Sequence, residues 1–292
     1  MKAWTTKAER GSTWLIHLFA RLARTMGRPV CRGLLYPIVL YFVVTDADAR
    51  RASREFLSAA LGRRASWGEV VSHIHAFAAT LLDRVYMANG EFQRFRVTIE
   101  GASLVSEALK GGKGCLLLGS HLGSFDLMML ANQALKRQPV SILMRVDPRS
   151  RLRRIAGIAN GGSTVIPLGR PDSFLRAYEV LERGGVLAAL ADRVDATGAS
   201  LPATFLGRTA SFPLGPHVLA ARAGAPVLMC FGVYEGGSSY RIEFVDFGPA
   251  ADQGSRGAAL QAVVDRYAFL LEHYARRFPK NWFNFYPYWT TP

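Results

Sequence analysis

The 292-residue sequence has little cysteine, few acidic residues and none of the common catalytic or nucleotide-binding signatures. Its three cysteines are far apart and show no CxxC spacing, which predicts small buried side chains in a reducing compartment and no disulfide framework. GxSxG, HExxH, Walker A and GxGxxG motifs are absent, so the usual signs of a serine hydrolase, zinc protease, P-loop or dinucleotide site are missing. Half of the residues are hydrophobic, so disorder is excluded and one domain can bury a large core.

Acidic residues are too few to balance the basic ones. The sequence has 22 Asp and Glu against 36 Lys and Arg, a net charge of +14. This excess predicts an anionic partner: nucleic acid, an anionic membrane surface, or an acidic substrate or carrier. Residues 1–66 contain twelve Lys or Arg against four acidic residues, and so carry +8 of that charge. Zinc-finger, RNP and basic-zipper patterns are absent, which argues against nucleic acid.

The basic N-terminal region also lacks an uninterrupted apolar run long enough to cross a bilayer. Residues 34–44 are eleven uncharged residues, whereas a membrane helix needs about 20. The stretches "TWLIHLFARLAR" and "LLYPIVLYFVV" instead combine apolar residues with nearby arginines, and no signal-peptide cleavage site follows them. We therefore predict that residues 1–66 form a membrane-associating helical segment lying in the interface. The alternative is a soluble helix pair packed on the domain.

From residue 67 onward, β-like and helical runs alternate along the chain. Such alternation predicts an α/β domain over residues 67–292, with a mostly parallel mixed sheet of about seven strands flanked by helices. The predicted strands are 96–100, 115–119, 140–145, 164–168, 186–191, 227–234 and 240–247. The predicted helices are 68–88, 103–109, 124–136, 149–159, 172–182, 213–223 and 257–278.

The stretch "CLLLGSHLGSFDLMML" places His121 just after a predicted strand and Asp126 in the first turn of the next helix. Ligands of α/β sheets bind at the carboxyl ends of strands. On one helix the two residues would point roughly 140° apart, so they meet only if the chain turns, which Gly119 and Gly123 allow. Asp126 would then accept the Nδ1 proton of His121 and leave Nε2 as a base. The structural alternative is a loop histidine bonded to a carbonyl and an aspartate beside the helix dipole.

A histidine and a carboxylate without a protein nucleophile fit the deprotonation of a substrate hydroxyl or amine that attacks an activated acyl group. His217 lies in the apolar stretch "GPHVLAARAG" and forms no recognised ligand spacing with His121 and Asp126. We therefore predict no metal.

The motif "HLGSFD" resembles the His-x4-Asp/Glu signature of the glycerolipid and lysophospholipid acyltransferase superfamily. Together with "GVLAALADRVDATG…ATFLGRTASFPLGPHVLAARAGAPV" and the end "PKNWFNFYPYW", the chain resembles the bacterial lipid A late acyltransferases over nearly its whole length. The resemblance implies a general base, His121, and an orienting acid, Asp126. It further implies substrate-binding roles for five residues. Arg145 would contact a phosphate, and Asp192 and Arg193 would line the cleft, with Asp192 orienting one of the arginines. Phe205 would pack against the acyl chain, and Gly207 would allow a close approach of the backbone.

The resemblance also implies partners and a location. No cofactor is expected, because an acyl-carrier protein or acyl-CoA thioester supplies the acyl group to a lipid acceptor. The enzyme is expected on the cytoplasmic side of the inner membrane, as a peripheral or monotopic protein. Two departures, Ser124-Phe125-Asp126 in place of Asn-Trp-Glu and the aromatic end in place of an arginine-rich patch, argue against lipid A itself as the acceptor. The competing interpretations are a thioesterase-like hydrolase and a non-catalytic basic protein that binds membranes or nucleic acid.

Overall fold

The structure is a computed structural model that describes residues 13–124, 140–145, 164–194, 198–248 and 257–289, with side chains from residue 25 onward. The described residues form seven α-helices: α1 Thr13–Thr45, α2 Ala47–Leu61, α3 Trp67–Ala88, α4 Ala102–Leu109, α5 Ser173–Glu182, α6 Gly215–Ala223 and α7 Ala258–Arg277. The strands are β1 Arg96–Glu100, β2 Cys115–Gly119, β3 Val140–Arg145, β4 Thr164–Leu168, β5 Val186–Leu190, β6 Ser200–Phe205, β7 Arg208–Pro213, β8 Val227–Gly236 and β9 Ser239–Asp246.

Seven strands form one sheet in the order β1-β9-β8-β2-β5-β3-β4. All neighbours in this sheet are parallel except β8 and β9, which form an antiparallel hairpin. The remaining strands, β6 and β7, form a separate antiparallel hairpin. The central strand β2 is buried along its whole length, as expected for a parallel strand covered on both faces.

The two faces of the sheet contribute to two hydrophobic cores. Leu116 and Leu118 of β2 pack in the core that contains Tyr267 and Leu271 of α7. Leu117, which points to the opposite face, packs in the core built with α3 and α4. Helices therefore cover both faces, and only the ends of the central strands are left for chemistry.

Helix α1 joins the two basic apolar stretches into one element with a kink at Gly27 (φ 76°, ψ 164°). After the kink, one face of α1 packs against α3 through Cys31, Leu35 and Val39, which are all buried. The segment Thr25–Thr45 is long and apolar enough, by length and composition, to cross a membrane, with a mean hydropathy of 1.2.

The predicted fold class is confirmed, with a seven-stranded mostly parallel sheet and an apolar N-terminal helix. The first four predicted strands have the observed bounds. The fifth and sixth differ at their carboxyl ends by one and two residues, and the seventh is shifted by one residue. The β6–β7 hairpin was not predicted. The predicted helices 124–136 and 149–159 lie outside the described residues, apart from Ser124.

Candidate active site

The loop after β2 carries His121 at the carboxyl edge of the sheet. The chain turns directly after the strand, and the Leu122 N–H donates to Ser120 Oγ at 3.2 Å. Gly123 adopts a φ of 82°, and a Cβ atom there would lie 2.0 Å from the carbonyl oxygen of Gly232 on β8. Only glycine therefore fits where the loop presses on β8. The His121 side chain keeps 28% of its surface exposed, so the ring remains accessible from the edge of the sheet.

Asp192 follows β5 just as His121 follows β2. Gly119 pairs with Leu190 in the parallel ladder, and the Ala191 N–H donates to Gly119 O at 3.1 Å. His121 lies two residues after Gly119, and Asp192 lies two residues after Leu190, the residue that pairs with Gly119. His121 Nδ1 lies 2.8 Å from Asp192 Oδ1, and the His121 backbone N–H donates to Asp192 Oδ2 at 3.0 Å. Because the carboxylate accepts the Nδ1 proton, Nε2 is left as the basic nitrogen.

Residues 279–289, here called the C-terminal strap, hold Asp192 from the buried side. Trp282 Nε1 and Asn284 Nδ2 donate to Asp192 Oδ2 at 3.3 and 3.2 Å. The Tyr288 hydroxyl donates to the Asp192 backbone carbonyl at 2.8 Å. Asp192 is completely buried, so these contacts with the strap and with His121 fix where its carboxylate lies.

The C-terminal strap also pairs with the loop that carries His121. The Phe283 N–H donates to His121 O at 2.9 Å, and the Gly123 N–H donates to Asn281 O at 2.6 Å. Asn281 is in turn anchored on β8, because its side-chain amide exchanges two hydrogen bonds with the backbone of Tyr234, at 2.8 and 3.0 Å. The loop, the strap and β8 therefore form one hydrogen-bonded unit around the histidine.

The charges at the site favour a neutral histidine beside an ionised aspartate. Burial and the positive charge of Arg193 lower the pKa of His121 below its ordinary value, although Asp192 acts in the opposite direction. Burial alone would raise the pKa of Asp192, but the His121 side chain, the Arg193 charge and the His121 N–H lower it far below its usual range. At neutral pH this arrangement provides an unprotonated Nε2, which is the form a general base requires.

The contacts around Asp192 differ from those predicted. The hydrogen bond to Nδ1 of His121 that we assigned to Asp126 is made by Asp192, while Asp126 itself lies outside the described residues. Asp192 was predicted to line the cleft and orient an arginine, but its fully buried carboxylate is bound by the histidine. Arg193 is instead held by the strap, with Nε donating to Asn284 Oδ1 at 2.7 Å and Nη2 to Phe283 O at 3.2 Å.

The other predicted substrate-binding residues lie in different surroundings. Arg145 ends β3, next to β5 in the sheet, and is exposed at the same carboxyl edge. Phe205 is fully buried between Trp282 and Trp289, with ring centroids 5.1 and 6.0 Å away, so it is part of an aromatic core. Gly207 has a φ of 76° and open space beside it. Its glycine is therefore required by the β6–β7 turn, not by a close backbone approach.

No metal-binding cluster of three or more His, Cys, Asp or Glu residues is present in the described parts of the chain. His217 lies buried on α6, with its ring 5.9 Å from that of Phe247. Its surroundings are those of a core residue.

Sequence reasoning did not identify the strap residues as part of the site. Trp282, Asn284 and Tyr288 lie about 90 residues from Asp192 in the chain, so no local spacing connects them. The available signal was the stretch "NWFNFYPYW" itself, in which an asparagine stands among aromatic residues. A buried polar side chain in such a setting normally has hydrogen-bond partners.

Comparison with known proteins gives one family and two similar chains. Residues 3–291 match the family described as bacterial lipid A biosynthesis acyltransferase. Two proteins of Mycobacterium tuberculosis, from strains CDC 1551 / Oshkosh and ATCC 25618 / H37Rv, are both named phosphatidylinositol mannoside acyltransferase. Each is 27% identical to this chain over 197 residues, which is 65% of this chain and 59% of the relative. The chain thus aligns with less than two thirds of the length of these relatives.

Proposed function

Because the chain belongs to the bacterial lipid A biosynthesis acyltransferase family, we propose that it moves a fatty acyl group from an acyl thioester to a hydroxyl or amine of a glycolipid or lysolipid-like acceptor. The observation that carries this proposal is the contact between His121 Nδ1 and Asp192 Oδ1, 2.8 Å, at the carboxyl edge of the sheet. It leaves Nε2 as a base on a partly exposed ring. No protein nucleophile is needed for direct transfer.

The chemistry follows from the two nitrogens of the ring. His121 Nε2 takes the proton of the acceptor hydroxyl as its oxygen attacks the thioester carbonyl carbon. Asp192 stabilises the imidazolium that forms, because the Nδ1 proton stays on the ring and is shared with the carboxylate. When the tetrahedral intermediate collapses, the carbon–sulfur bond breaks and the imidazolium returns its proton to the leaving thiolate. The products are an ester and a free thiol.

The proposed acceptor carries sugar hydroxyls. Both mycobacterial relatives are named for a mannosylated phosphatidylinositol, and the family is named for lipid A, so a glycolipid is the shared class. Arg145, exposed at the same edge as His121, is our candidate for contact with a phosphate of the donor or acceptor, since its planar guanidinium suits phosphate oxygens. The donor is an acyl-carrier protein or acyl-CoA.

We further propose that the outer face of α1 rests in the membrane interface on the cytoplasmic side of the inner membrane. Tyr36, Leu40, Tyr41 and Val44 are each at least 60% exposed on this face. The opposite face of α1 is packed on α3, so the helix lies along the domain. An apolar outer face flanked by basic residues suits the anionic headgroup region.

The transfer reaction is tested with the purified full-length chain, a radiolabelled acyl thioester and total membrane lipid. Labelled glycolipid is expected from both thin-layer chromatography and mass spectrometry, and His121→Ala is expected to lower its formation by about 10²- to 10⁴-fold. His273→Ala serves as the matched control because this histidine is exposed on α7.

The two competing functions give different outcomes in the same experiment. Label that appears only as free fatty acid, in a reaction that His121→Ala abolishes, would identify a thioesterase. Thioester that stays intact with both donors and every lipid fraction would leave only a non-catalytic binding protein.

The membrane proposal is tested with sedimentation of anionic vesicles. Leu40→Glu with Tyr41→Glu is expected to reduce vesicle binding about tenfold or more, because two apolar side chains lose their burial in lipid. Phe269→Glu is the matched control, since Phe269 is 71% exposed on a different helix, α7. Binding that the α1 variant leaves unchanged would contradict the proposed face.

A further inference from the structure

The side chain of Asn284 is hydrogen-bonded to both Asp192 and Arg193. Its Nδ2 donates to Asp192 Oδ2 at 3.2 Å, and its Oδ1 accepts from Arg193 Nε at 2.7 Å. The residue is 1% exposed, so water cannot replace either partner. The amide group of Asn284 thus fixes the positions of both the Asp192 carboxylate and the Arg193 guanidinium.

The hydrogen bonds on the Asp192 carboxylate divide between its two oxygens. Oδ1 is bound to Nδ1 of His121, while Oδ2 accepts from the His121 N–H, Trp282 Nε1 and Asn284 Nδ2. Contacts on Oδ2 keep the carboxylate from rotating, and this in turn keeps Oδ1 aligned with the imidazole ring. The position of Oδ1 depends on the strap.

Arg193 is held in place by the same amide. Besides its bond to Asn284, the guanidinium donates to the Phe283 carbonyl and lies over the Tyr286 ring, 5.4 Å from the centroid. Its charge nevertheless acts on both members of the pair, since it lowers the pKa of His121 and that of Asp192. Where the guanidinium sits therefore affects how readily His121 takes a proton.

We propose that Asn284 is a positioning residue for the proposed acyl transfer: it aligns the Asp192 carboxylate with His121 and fixes Arg193, and so sets the basicity of His121. The inference rests on the proposed function for its catalytic meaning. The effect of Asn284 on the pKa of the His121 imidazole can be measured without any acyl transfer.

The charged groups that act on His121 come from two elements. Asp192 and Arg193 follow β5, and Arg84 on α3 also lowers the pKa of His121. The phenols of Tyr267, Tyr286 and Tyr288 surround Asp192, and burial raises the pKa of each of them. These phenols stay neutral near pH 7, so the groups that change the His121 titration are the carboxylate, the two arginines and the amide dipole of Asn284.

The test is an NMR titration of histidine-labelled protein, with His121→Ala used to assign the His121 signal. In Asn284→Ala the positive end of the amide dipole is removed from Asp192, so the pKa of His121 is expected to rise. Asn284→Leu removes the same donor but has nearly the same shape as asparagine, so it opens no cavity. It is expected to raise the pKa of His121 as the alanine variant does, and it is the second variant if the alanine variant does not fold.

Ser173→Ala is the matched control. Ser173 begins α5, is also 1% exposed, and its hydroxyl is hydrogen-bonded to the backbone of Pro167 and Arg170. The variant loses buried side-chain hydrogen bonds, which lowers the melting temperature, and it is expected to leave the His121 titration at its wild-type position. Equal titrations in wild type, Asn284→Ala and Asn284→Leu would overturn the inference, as would the same shift in Ser173→Ala.

Kinetics then connects this positioning to the reaction. Asn284→Ala is expected to lower kcat by about 10- to 100-fold with little change in KM, because misaligned catalytic groups reduce turnover and not substrate binding. If the wild-type chain transfers no acyl group, the proposed function fails, while the titration still decides the role of Asn284. If transfer occurs and Asn284→Ala keeps the wild-type kcat, the positioning role is refuted.

Discussion

Asp83 on α3 and Asp192 after β5 are both completely buried, but their hydrogen-bond partners differ in charge. Asp83 accepts from Arg28 Nε and Nη2 at 2.7 and 2.8 Å and from the Tyr240 hydroxyl at 2.8 Å, with Arg32 Nη1 3.8 Å away. These partners tie α1, just after its kink, to α3 and β9. The charge of Asp83 is matched by cations, as a buried structural carboxylate requires.

The hydrogen-bond donors to Asp192 are uncharged while His121 is neutral. They are the backbone and ring of His121, the indole of Trp282 and the amide of Asn284. Its charge is thus held in place and remains available to stabilise an imidazolium. The comparison teaches that burial alone does not distinguish a structural carboxylate from one that can stabilise an imidazolium; the identity of its donors does.

The largest expected effect is on catalysis, from Asp192→Asn. The amide keeps the shape but cannot stabilise the imidazolium, so kcat/KM for acyl transfer is expected to fall by about 10²- to 10⁴-fold. The pKa of His121 is expected to fall as well, because Asp192 is the group that raises it. Steady-state kinetics and the histidine NMR titration measure both quantities.

Wild-type kcat/KM in a folded Asp192→Asn protein would remove Asp192 from the mechanism. Circular dichroism of the same sample shows that the protein is folded. In that case Asp126, which lies outside the described residues, becomes the remaining candidate for the orienting acid.

Asp83→Asn is expected to act on stability. Its loss leaves Arg28 and Arg32 facing a neutral buried group, and breaking a buried ion pair costs about 3 kcal/mol or more. Urea unfolding measures this free energy. The pKa of His121 is expected to stay at its wild-type value, because Asp83 makes no contact with the site residues described above.

Glu107→Gln is the control for removal of a carboxylate. Glu107 pairs with Lys110 at 2.7 Å on the surface, where both side chains are more than 60% exposed, and such pairs contribute about 0–1 kcal/mol. If Asp83→Asn loses no more stability than Glu107→Gln, the contrast between the two buried aspartates is incorrect.

The sheet could be predicted from the sequence because its strands are short apolar runs bounded by turns. The missed β6–β7 hairpin shows the limit of that approach. Its turn residues, Leu206 and Gly207, both have positive φ, 52° and 76°. Hairpins of this kind normally carry asparagine or aspartate at the first position. A leucine at this position does not indicate a turn. The Leu206 N–H donates to Oε2 of Glu272, a residue distant in sequence, at 2.5 Å.

The site was only partly predictable. His121 was predicted because a histidine directly after a buried strand is conspicuous. The ladder that aligns Gly119 with Leu190 places Asp192 beside it, and strand pairing between β2 and β5 cannot be read from a single sequence. The short spacing to Asp126 favoured the nearer acid. Asn284 is further still in sequence, so its role depends entirely on the tertiary fold.

His73 differs from both aspartates, because it is a buried group that is neutral and has hydrogen-bond partners. Ser53 Oγ and the Trp282 carbonyl bind its two nitrogens at 2.9 and 3.0 Å. Burial lowers its pKa to about 4 from an ordinary value of 6.5, so between these values the unfolded chain binds more protons. Stability is therefore expected to decrease as pH falls from 6.5 towards 4, by about 2 kcal/mol for this histidine at pH 5.

Urea unfolding at pH 7.5 and 5.0 measures this loss, and His73→Gln is expected to remove about that share of it. The variant is less stable than wild type at pH 7.5, since its hydrogen bonds to Ser53 and Trp282 are altered. Only the difference between the two pH values tests the point. An unchanged difference would mean that His73 does not remain neutral in the folded chain.

The smallest expected effect comes from His217, a buried titratable group for which the described residues provide no hydrogen-bond partner. Burial lowers its pKa to about 4, so at pH 7 the ring is neutral and its two nitrogens are desolvated. His217→Leu, similar in volume, removes that penalty of about 1–3 kcal/mol but loses ring contacts with Phe247 and Tyr267, worth about 0.5–1.5 kcal/mol. The variant is expected to be about 1 kcal/mol more stable at pH 7 in urea unfolding, and to gain more at pH 5. A loss of stability at pH 7 would mean that a hydrogen-bond partner stabilises His217, as partners do for His73 and Asp192.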